Sequence, residues 1–347
     1  MPTVTRLHTA LSRSNDGEIA GAVQPRYPDA QGRRSGDLME RFDSSGVLPD
    51  HLRGGVAALG NFDGFHLGHQ AVVARAVALA RERGVPALVV TFDPHPARLF
   101  RPDAPPFSLT TVDQRLCLFA GAGVDAATVL RFDRAFAEVT AQGFISDWLQ
   151  TKLGLSGVVT GDDFTFGKGR GGSVGVLAAD GPEHGFTAET VAPICARDGS
   201  IVSSTRIREA LQAADPQTAA QLLTRPFTIE GVVEHGDKRG RTIDFPTANL
   251  ALGPYVRPAY GVYAVRVRLA DGSRIDGVAN LGVRPMFAPP KELLETYLFD
   301  WSGDLYRQTI GVELHHFIRP EWKLDGLDAL KSQIAKDCAE ARRLLSS

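Results

Sequence analysis

The sequence predicts an α/β fold followed by a β fold: a parallel sheet with helices, then a small antiparallel β-barrel with a terminal helix. Short apolar runs alternate with amphipathic segments from Gly54 to about Leu223, as in strands joined by helices. From Arg225 onward, runs of alternating apolar and polar residues are separated by turns. The chain of 347 residues is also long for one hydrophobic core. We therefore assign an extension, an α/β domain and a barrel domain at residues 1–37, 38–223 and 224–347.

The extension at residues 1–37 is rich in Ser, Asn, Gly, Gln and Arg and shows little apolar periodicity. This composition predicts a disordered or weakly ordered segment. Its twin arginines, Arg33 and Arg34, are not followed by an apolar segment, so they do not indicate a secretion signal. No apolar run in the chain approaches the roughly 20 residues that a membrane-spanning helix needs.

Charge and cysteine content argue against several classes of protein. A net charge of −2 and a hydrophobic content of 43% describe an ordinary globular protein, without the basic excess typical of nucleic-acid binding. Cys117, Cys195 and Cys338 are odd in number and far apart, which indicates reduced thiols in a cytoplasm. We expect a cytoplasmic monomer or weak homo-oligomer that binds neither nucleic acid nor membranes.

In the α/β domain, buried strands are predicted at VAALG, ALVVTF, ATVLRF and GVVTG. The amphipathic segment AVVARAVALARERG, which ends at Gly84, and the segment FISDWLQTKL are predicted helices between them. This alternation indicates a parallel sheet with helices on both faces, and such sheets bind ligands at the carboxyl ends of their strands.

The segment VAALGNFDGFHLGHQ, residues 56–70, runs from the first of these strands through a glycine-rich turn into a helix. The first amides of that helix and its macrodipole form an anion site. His66 and His69 share a face beside this site if the first helical turn forms before Gly68. They can then stabilise charge on a phosphate under attack. Gly60, Gly64 and Gly68 let the backbone approach the ligand.

The histidines and glycines of this domain also have other interpretations. A His-x-x-His pair can bind zinc, but zinc needs three or four ligands, and no further His or Cys lies nearby. Two surface histidines are the other alternative. Gly167, Gly169 and Gly172 spell the dinucleotide pattern G-x-G-x-x-G, but DDFTF separates them from the strand GVVTG, so we do not assign a dehydrogenase.

A further segment of the α/β domain carries candidate ligand contacts. SSTRIR places hydroxyl groups and arginines at the start of a predicted helix, IREALQAA, where they can hold phosphate oxygens. A capped surface helix is the alternative. Asp93-Pro94 marks a loop directly after the strand ALVVTF.

In the barrel domain, TIEGVVEHG, GVYAVRVRLADGSRIDGVANLG and TIGVELHHFI predict antiparallel strands of a small closed barrel. The final segment, LDGLDALKSQIAKDCAEARRLL, predicts an amphipathic helix across it. In FPTANL, Thr247 and Asn249 point to the same side of an extended strand and offer oxygens to a metal-bound triphosphate. Mg²⁺ needs only one or two such protein ligands; a turn at Pro246 with a hydrogen-bonded Asn249 is the alternative.

Glu295 is the candidate base of this domain. It lies between LL and TYLF on a predicted strand, where a carboxylate can accept the proton of an attacking hydroxyl. A solvent-facing strand residue is the alternative.

The motif GNFDGFHLGH resembles the nucleotidyltransferase signature of the prokaryotic bifunctional riboflavin kinase/FMN adenylyltransferase family, also called FAD synthetases. Further segments resemble the same family in its order: TFDPHP, GDDFTFG, SSTRIR, RGRTIDFPTANL, GVANLGVRPMF and LETYLFDWSGDL. The resemblance implies a Rossmann-like nucleotidyltransferase domain and a riboflavin kinase barrel. With ATP and Mg²⁺, these would convert riboflavin to FMN and then FMN to FAD.

The resemblance also implies roles for individual residues at matching positions. The catalytic residues would be His66, His69 and Glu295. ATP contacts of the adenylyltransferase would come from Gly60, Asn61, Phe62, Asp63, Gly68, Ser203, Ser204, Thr205 and Arg208. Its pocket would also contain Asp93, His95, Asp163, Phe164 and Phe166. In the kinase, a loop with Gly236, Lys238, Gly240 and Arg241 would cover the ATP phosphates, and Thr247 and Asn249 would bind ATP and Mg²⁺.

Three positions depart from the family's pattern. Asp163 stands where the family often has Asn, Asp244 where Gly is usual, and Met286 where Thr is common. Two alternatives stay open: a single-activity enzyme, in which one of these departures marks a degenerate half, and a non-catalytic protein that binds or senses flavin. The intact signature histidines and the candidate base argue against the second, since binding alone would not need them.

Overall fold

The computed structural model describes residues 39–43, 47–234, 245–284, 291–322 and 326–346. Among these, residues 39–104 and 112–203 form a first unit, and residues 105–111 with those from Ser204 onward form a second. The predicted extension lies outside the described residues, as do Gly236, Lys238, Gly240, Arg241, Asp244 and Met286. The domain boundary after residue 223 stays a prediction.

The first unit is built on a six-stranded sheet whose strands pair in parallel. The strands are β1 Glu40–Asp43, β2 Val56–Leu59, β3 Ala87–Asp93, β4 Ala126–Arg131, β5 Gly157–Gly161 and β8 Thr187–Val191. They lie in the order β1-β4-β3-β2-β5-β8. The parallel sheet is thereby confirmed, with the four predicted strands at its centre. The edge strands β1 and β8 lack a continuous buried run, so the sequence does not predict them.

Helices cover both faces of this sheet because its central strands are apolar on both sides. Val56 and Ala58 pack into one buried cluster, and Ala57 and Leu59 pack into the other. The helices are α1 Leu67–Arg83, α2 Pro96–Phe100, α3 Val112–Gly121, α4 Arg134–Ala137, α5 Ala141–Gly143 and α6 Val174–Asp180, with a π-helix at Phe144–Lys152 and 3₁₀ turns at Asp50–Leu52, Lys168–Arg170 and Gly181–His184. The predicted helix end at Gly84 is confirmed, since Gly84 caps α1 with a φ of 65°. The predicted helix FISDWLQTKL is the π-helix.

The glycines of the G-x-G-x-x-G pattern belong to a small hairpin and do not follow a strand of the parallel sheet. Strands β6 Thr165–Phe166 and β7 Gly172–Ser173 pair antiparallel, and Gly167 and Gly169 between them have φ angles of 74° and 62°. A Cβ on Gly167 would lie 2.6 Å from the backbone nitrogen of Ala141. These glycines therefore serve a tight turn against α5, and the geometry gives the dinucleotide interpretation no support.

The second unit contains a six-stranded antiparallel sheet that closes almost completely into a barrel. Its strands are β9 Phe227–Val232, β10 Ala248–Ala251, β11 Gly261–Arg268, β12 Arg274–Arg284, β13 Lys291–Leu298 and β14 Thr309–Pro320. They pair in the order β10-β13-β12-β11-β14-β9, and a bridge between Glu234 and Asn249 links the two ends. Leu250, Leu281 and Leu294 fill the interior and have no exposed surface. The predicted barrel is confirmed in this nearly closed form.

Three helices of the second unit are α7 Ser204–Gln212, α8 Pro216–Leu223 and α9 Leu327–Leu345. Gln217 of α8 hydrogen-bonds His316 of β14 at 2.9 Å. Arg319 of β14 pairs with Asp337 of α9 at 2.6 Å, which holds the predicted terminal helix on the barrel. Within the described ranges, none of the helices combines the length and the apolar character needed to cross a membrane.

Candidate active sites

His66 and His69 lie side by side at the start of α1, just beyond the carboxyl end of β2. The helix begins at Leu67, so its first turn does form before Gly68. His66 is the N-cap residue, and its Nδ1 accepts a hydrogen bond of 3.4 Å from the backbone amide of His69. The two imidazoles stack with their centroids 3.6 Å apart. The two histidines therefore share one face, as the sequence predicts.

Gly68 leaves room for this stack. A Cβ at this position would lie 3.2 Å from Cε1 and 3.3 Å from Nδ1 of His66, so a larger residue would press on the ring. The same Cβ would lie 3.8 Å from the carbonyl oxygen of Val202, so the segment leading to Ser203 passes beside this turn. Because Nδ1 of His66 accepts a hydrogen bond from an amide, Nε2 carries the ring proton and is a donor. The first unit thus presents a ring donor next to a helix N-terminus.

The turn before the histidines is buried and has an uncommon backbone conformation. Phe62 and Phe65 have φ angles of 51° and 44°, in the left-handed region that bulky residues rarely adopt. The Phe62 ring meets the His69 imidazole edge-on, with centroids 5.3 Å apart, and also packs on Phe119. Asp63 is only 5% exposed. The turn therefore places an aromatic ring directly against the second histidine.

Arg115 of α3 contacts the same turn, although no sequence motif marks it. Its Nη1 donates to the carbonyl oxygen of Asn61 at 2.7 Å and to the hydroxyl oxygen of Thr91 at 3.1 Å. Burial lowers the pKa of Arg115, and the nearby carboxylates of Asp63 and Asp93 act in the opposite direction. Arg115 lies far from the turn in sequence, and the contact depends on how α3 packs on the sheet. No local pattern could have revealed it.

Loops after the neighbouring strands β3 and β5 carry the other predicted pocket residues. Asp93 ends β3, and His95 caps α2, where its Nδ1 accepts a hydrogen bond of 3.1 Å from a helix amide. After β5, Asp163 is exposed, and the rings of Phe164 and Phe166 stack with centroids 5.9 Å apart. Because β3, β2 and β5 are adjacent and parallel, these loops lie at one edge of the sheet with the histidine turn.

The predicted phosphate ligands of the SSTRIR segment are divided between the two units. Ser203 ends the first unit, whereas α7 begins at Ser204 and carries Thr205 and Arg208 in the second. Nε of Arg208 donates to the carbonyl oxygen of Phe107 at 2.7 Å. The predicted helix is present in this segment but begins at Ser204, three residues before IREALQAA. The phosphate contacts stay a prediction.

On the barrel, three polar residues lie opposite one another on adjacent strands. Asn249 of β10 pairs with Glu295 of β13, and Glu295 pairs with Asn280 of β12. Directly opposed residues of antiparallel strands project to the same face. This face is the outer one, because the alternate residues Leu250 and Leu294 fill the interior. The barrel therefore carries a polar row on its outside.

Thr247 extends this row toward the start of β10. The side-chain amide of Asn249 donates to the carbonyl oxygen of Thr247 at 3.5 Å, and Asn249 is only 6% exposed. The candidate base, Glu295, is far in sequence from the two candidate metal ligands, Thr247 and Asn249. The fold brings all three to one side of the barrel.

Family models match both halves of the chain. The model described as FAD synthetase matches residues 48–206, and the model described as riboflavin kinase matches residues 223–345. A bifunctional riboflavin kinase/FMN adenylyltransferase of Escherichia coli (strain K12) is 44% identical over 289 residues, which cover 83% of this chain and 92% of the relative. The chain belongs to this family. A relative of the same name from Bacillus subtilis (strain 168) is 38% identical and covers 84% of this chain and 93% of its own length.

Membership of the bifunctional riboflavin kinase/FMN adenylyltransferase family establishes the reaction class. The enzyme phosphorylates riboflavin to FMN with ATP and transfers an adenylyl group to FMN to give FAD. This confirms the two-step function that the sequence resemblance implies, in preference to a single-activity or non-catalytic protein.

The fold is also similar to a solved structure from Streptococcus pneumoniae that is described as a macrolide-efflux protein. The TM-score is 0.78 at 30% identity, and the match covers 88% of this chain and 99% of that chain.

Asn280 and Glu321 also belong to the polar face of the riboflavin kinase unit, and neither is among the predicted site residues. Nδ2 of Asn280 donates to Oε1 of Glu321 at 3.1 Å. A Cβ on Gly282 would overlap the Glu321 carboxylate, so glycine leaves room for it. Glu321 lies beside Asn280 because it follows the end of β14. The residues around Glu321 in the sequence do not indicate this contact.

The donor atoms on this face suit Mg²⁺. Thr247, Asn249 and Glu295 offer only oxygens, which Mg²⁺ prefers, and Mg²⁺ takes few protein ligands when phosphates complete its shell. In the described part of the chain, no group of three or more His, Cys, Asp or Glu residues could hold a metal ion. The zinc interpretation of His66 and His69 therefore finds no further ligand among those residues.

Proposed function

We propose that the two activities have separate sites and that Glu295 is the base of the kinase. The opposed pair Asn249 and Glu295 on the outer face of the barrel carries this assignment. Glu295 would accept the proton of the riboflavin 5′-hydroxyl while the oxygen attacks the γ-phosphorus of ATP and ADP leaves. Asn280, which flanks Glu295 on the side away from Asn249, would help to orient the site.

We propose that Thr247 and Asn249 hold Mg²⁺ together with ATP in the kinase. The fit rests on their oxygen donors and on the buried position of Asn249. Bound Mg²⁺ would neutralise charge on the phosphates. The loop with Gly236, Lys238, Gly240 and Arg241 lies outside the described residues, and its role in covering the phosphates is part of the same proposal.

For adenylyl transfer, we propose that the start of α1 binds the ATP triphosphate. An oxygen of the FMN phosphate would attack the α-phosphorus in line, and the bond to pyrophosphate would break. His66 and His69 would donate hydrogen bonds to the oxygens on which charge accumulates. Gly60, Asn61, Phe62, Asp63, Gly68 and Ser203 would contact ATP, and Ser204, Thr205 and Arg208 are proposed as further contacts.

The loops after β3 and β5 would form the flavin side of this site. Phe164, which is half-buried and stacks on the buried Phe166, offers an aromatic face that suits a planar ring. Asp93 and His95 would supply polar contacts. Asp163 is proposed as a weaker contact, because an ionised carboxylate accepts hydrogen bonds but cannot donate one as the family's Asn does.

We also propose that the enzyme works in the cytoplasm as a monomer or weak homo-oligomer and binds no nucleic acid. The absence of disulfides from Cys117, Cys195 and Cys338 supports the location. The net charge of −2 supports the absence of a nucleic-acid surface.

A chromatographic time course of the purified protein with riboflavin, ATP and Mg²⁺ tests the proposal. We expect FMN to rise first and FAD to follow. FMN that accumulates without FAD would contradict an active adenylyltransferase site. The absence of both products, together with no FAD from added FMN, would contradict both assignments.

A further inference from the structure

A buried arginine contacts the turn that leads to His69 and has no role in the sites described so far. We propose that Arg115 is a positioning residue for adenylyl transfer. It fixes the peptide between Asn61 and Phe62 and, through the Phe62 ring, the orientation of the His69 imidazole. This inference rests on the proposed function of the histidine turn, and the experiment below separates the failure of one from the failure of the other.

The burial of Arg115 indicates that its charge has a role beyond filling space in the core. Only 5% of the residue is exposed, and removing a guanidinium from water is unfavourable unless it is paired and hydrogen-bonded. The opposite charge comes from Asp63, which is itself buried, and from Asp93 at the end of β3. An apolar residue could fill the same space without the unfavourable free energy of removing a charge from water. The charge is placed where it interacts with both loops at the edge of the sheet.

The hydrogen bonds of Arg115 act on one peptide plane. The carbonyl oxygen of Asn61 accepts from Nη1 of Arg115 at 2.7 Å and from the hydroxyl of Thr91 at 3.0 Å. Rotation of this peptide changes the φ of the next residue, Phe62, which is held at 51°. Such a rotation would relieve the left-handed backbone but would break both hydrogen bonds. The two donors therefore maintain the conformation of Phe62.

The Phe62 ring transmits this constraint to His69. The ring lies edge-on to the imidazole, with centroids 5.3 Å apart, and packs against Phe119 of α3 with centroids 5.7 Å apart. On the strand side, a Cβ on Gly60 would lie 3.1 Å from Cζ of Phe62. The ring is confined by these neighbours. If the peptide before it rotated, His69 would lose one of the contacts that orient its ring.

The test compares Arg115→Met and Arg115→Lys with Arg75→Met in the full chain. Arg75 is a matched control because it is a half-buried arginine of the same unit whose side chain hydrogen-bonds Glu82 and Glu189. For Arg115→Met we expect kcat for FMN adenylylation to fall about 100-fold, while the KM for ATP changes by less than about threefold. Arg115→Lys should recover about tenfold of this loss, because it keeps the charge and one donor. Arg75→Met should stay within about twofold of the natural enzyme.

A second measurement reports on His69 directly. The imidazole proton resonances of His69, identified by their loss in His69→Ala, should shift in both Arg115 variants and stay in place in Arg75→Met. The backbone amide resonances of the first unit in the same samples show whether that unit is folded. If Arg115→Met does not fold, Arg115→Lys decides: normal adenylylation with unshifted His69 resonances would overturn the proposal.

The two possible failures have different signatures. If His69→Ala forms FAD from FMN at the normal rate, the proposed function of the histidine turn is wrong. If His69→Ala loses FAD formation while Arg115→Met matches Arg75→Met in both kcat and resonances, only the positioning role is wrong.

Discussion

The two units of this enzyme catalyse attack on an ATP phosphorus with differently organised parts of the chain. In the α/β unit, a turn and a helix start supply most of the proposed catalytic residues and ATP contacts from one short segment, residues 60–69. In the barrel, the proposed contacts come from residues on different strands, since Asn249, Glu295 and Asn280 meet through strand register. The first kind of site can be recognised from one motif, whereas the second exists only when the barrel has formed. It follows that each site can be disabled without the other.

The largest expected effect is on the barrel side. Glu295→Gln should lower riboflavin phosphorylation about 1,000-fold, because an amide cannot accept the hydroxyl proton. Conversion of added FMN to FAD should be unchanged. Glu292→Gln is the matched control, since Glu292 lies on the same strand but three residues earlier, and thus on the opposite face. Separate rate assays with riboflavin and with FMN check this, and normal phosphorylation in Glu295→Gln would show that another group is the base.

The converse change is made in the α/β unit. His69→Ala should lower FAD formation from FMN about 100- to 1,000-fold, because it removes a donor to the developing charge. Phosphorylation of riboflavin should continue at the normal rate. His51→Ala serves as the control, since His51 is an exposed histidine of the same unit that pairs with Glu40 at 2.7 Å. Loss of both activities in His69→Ala would contradict two separate sites.

The proposed Mg²⁺ ligands give the next largest effect. Asn249→Ala should raise the Mg²⁺ concentration needed for half-maximal riboflavin phosphorylation about 10- to 100-fold, because one oxygen ligand is lost. A Mg²⁺ titration of the kinase rate measures this. The change should leave the Mg²⁺ dependence of FMN adenylylation unaltered. An unchanged titration curve for the kinase would remove Asn249 from the metal site.

The smallest expected effect concerns the fit of the histidine stack. Gly68→Ala should slow adenylylation about tenfold, because its Cβ would lie 3.2 Å from the His66 ring and displace it. The free energy of unfolding should change by less than about 1 kcal/mol, since better helix propensity offsets the close contact. Gly175→Ala in α6 is the control, where the new Cβ would meet only Ser173 at 3.6 Å. Its adenylylation rate should be normal. Thermal unfolding and rate assays distinguish the two variants.

The same contrast explains how much could be predicted from the sequence. The strand before the signature, the helix start at His66 and the sharing of a face by His66 and His69 depend on residues close in sequence, so periodicity and turn chemistry predict them. Glu321 could not be predicted as a neighbour of Asn280, because the contact depends on where β14 ends. Arg115 could not be predicted as a contact of the signature turn, because this requires the packing of α3 on the sheet. Burial of a charge has no local signature in a single sequence.

Long-range packing also explains the remaining differences. The edge strand β1 is mostly exposed and β8 is mostly half-buried, so their sequences lack the continuous apolar runs of the central strands. The helix α8 precedes the barrel in sequence and nevertheless packs on it, as the hydrogen bond between Gln217 and His316 shows. Elements that depend on distant partners are the ones that sequence patterns describe least well.

Mixing two variants that each lack a different one of the two activities gives a direct test of two independent sites. His69→Ala and Glu295→Gln are each supplied with riboflavin, ATP and Mg²⁺, first separately and then together, and FMN and FAD are separated by chromatography. We expect FMN alone from the first, neither product from the second, and FAD from the mixture, because FMN made by one variant is adenylylated by the other. A mixture that accumulates FMN and forms no FAD would contradict the assignment of the two activities to separate sites.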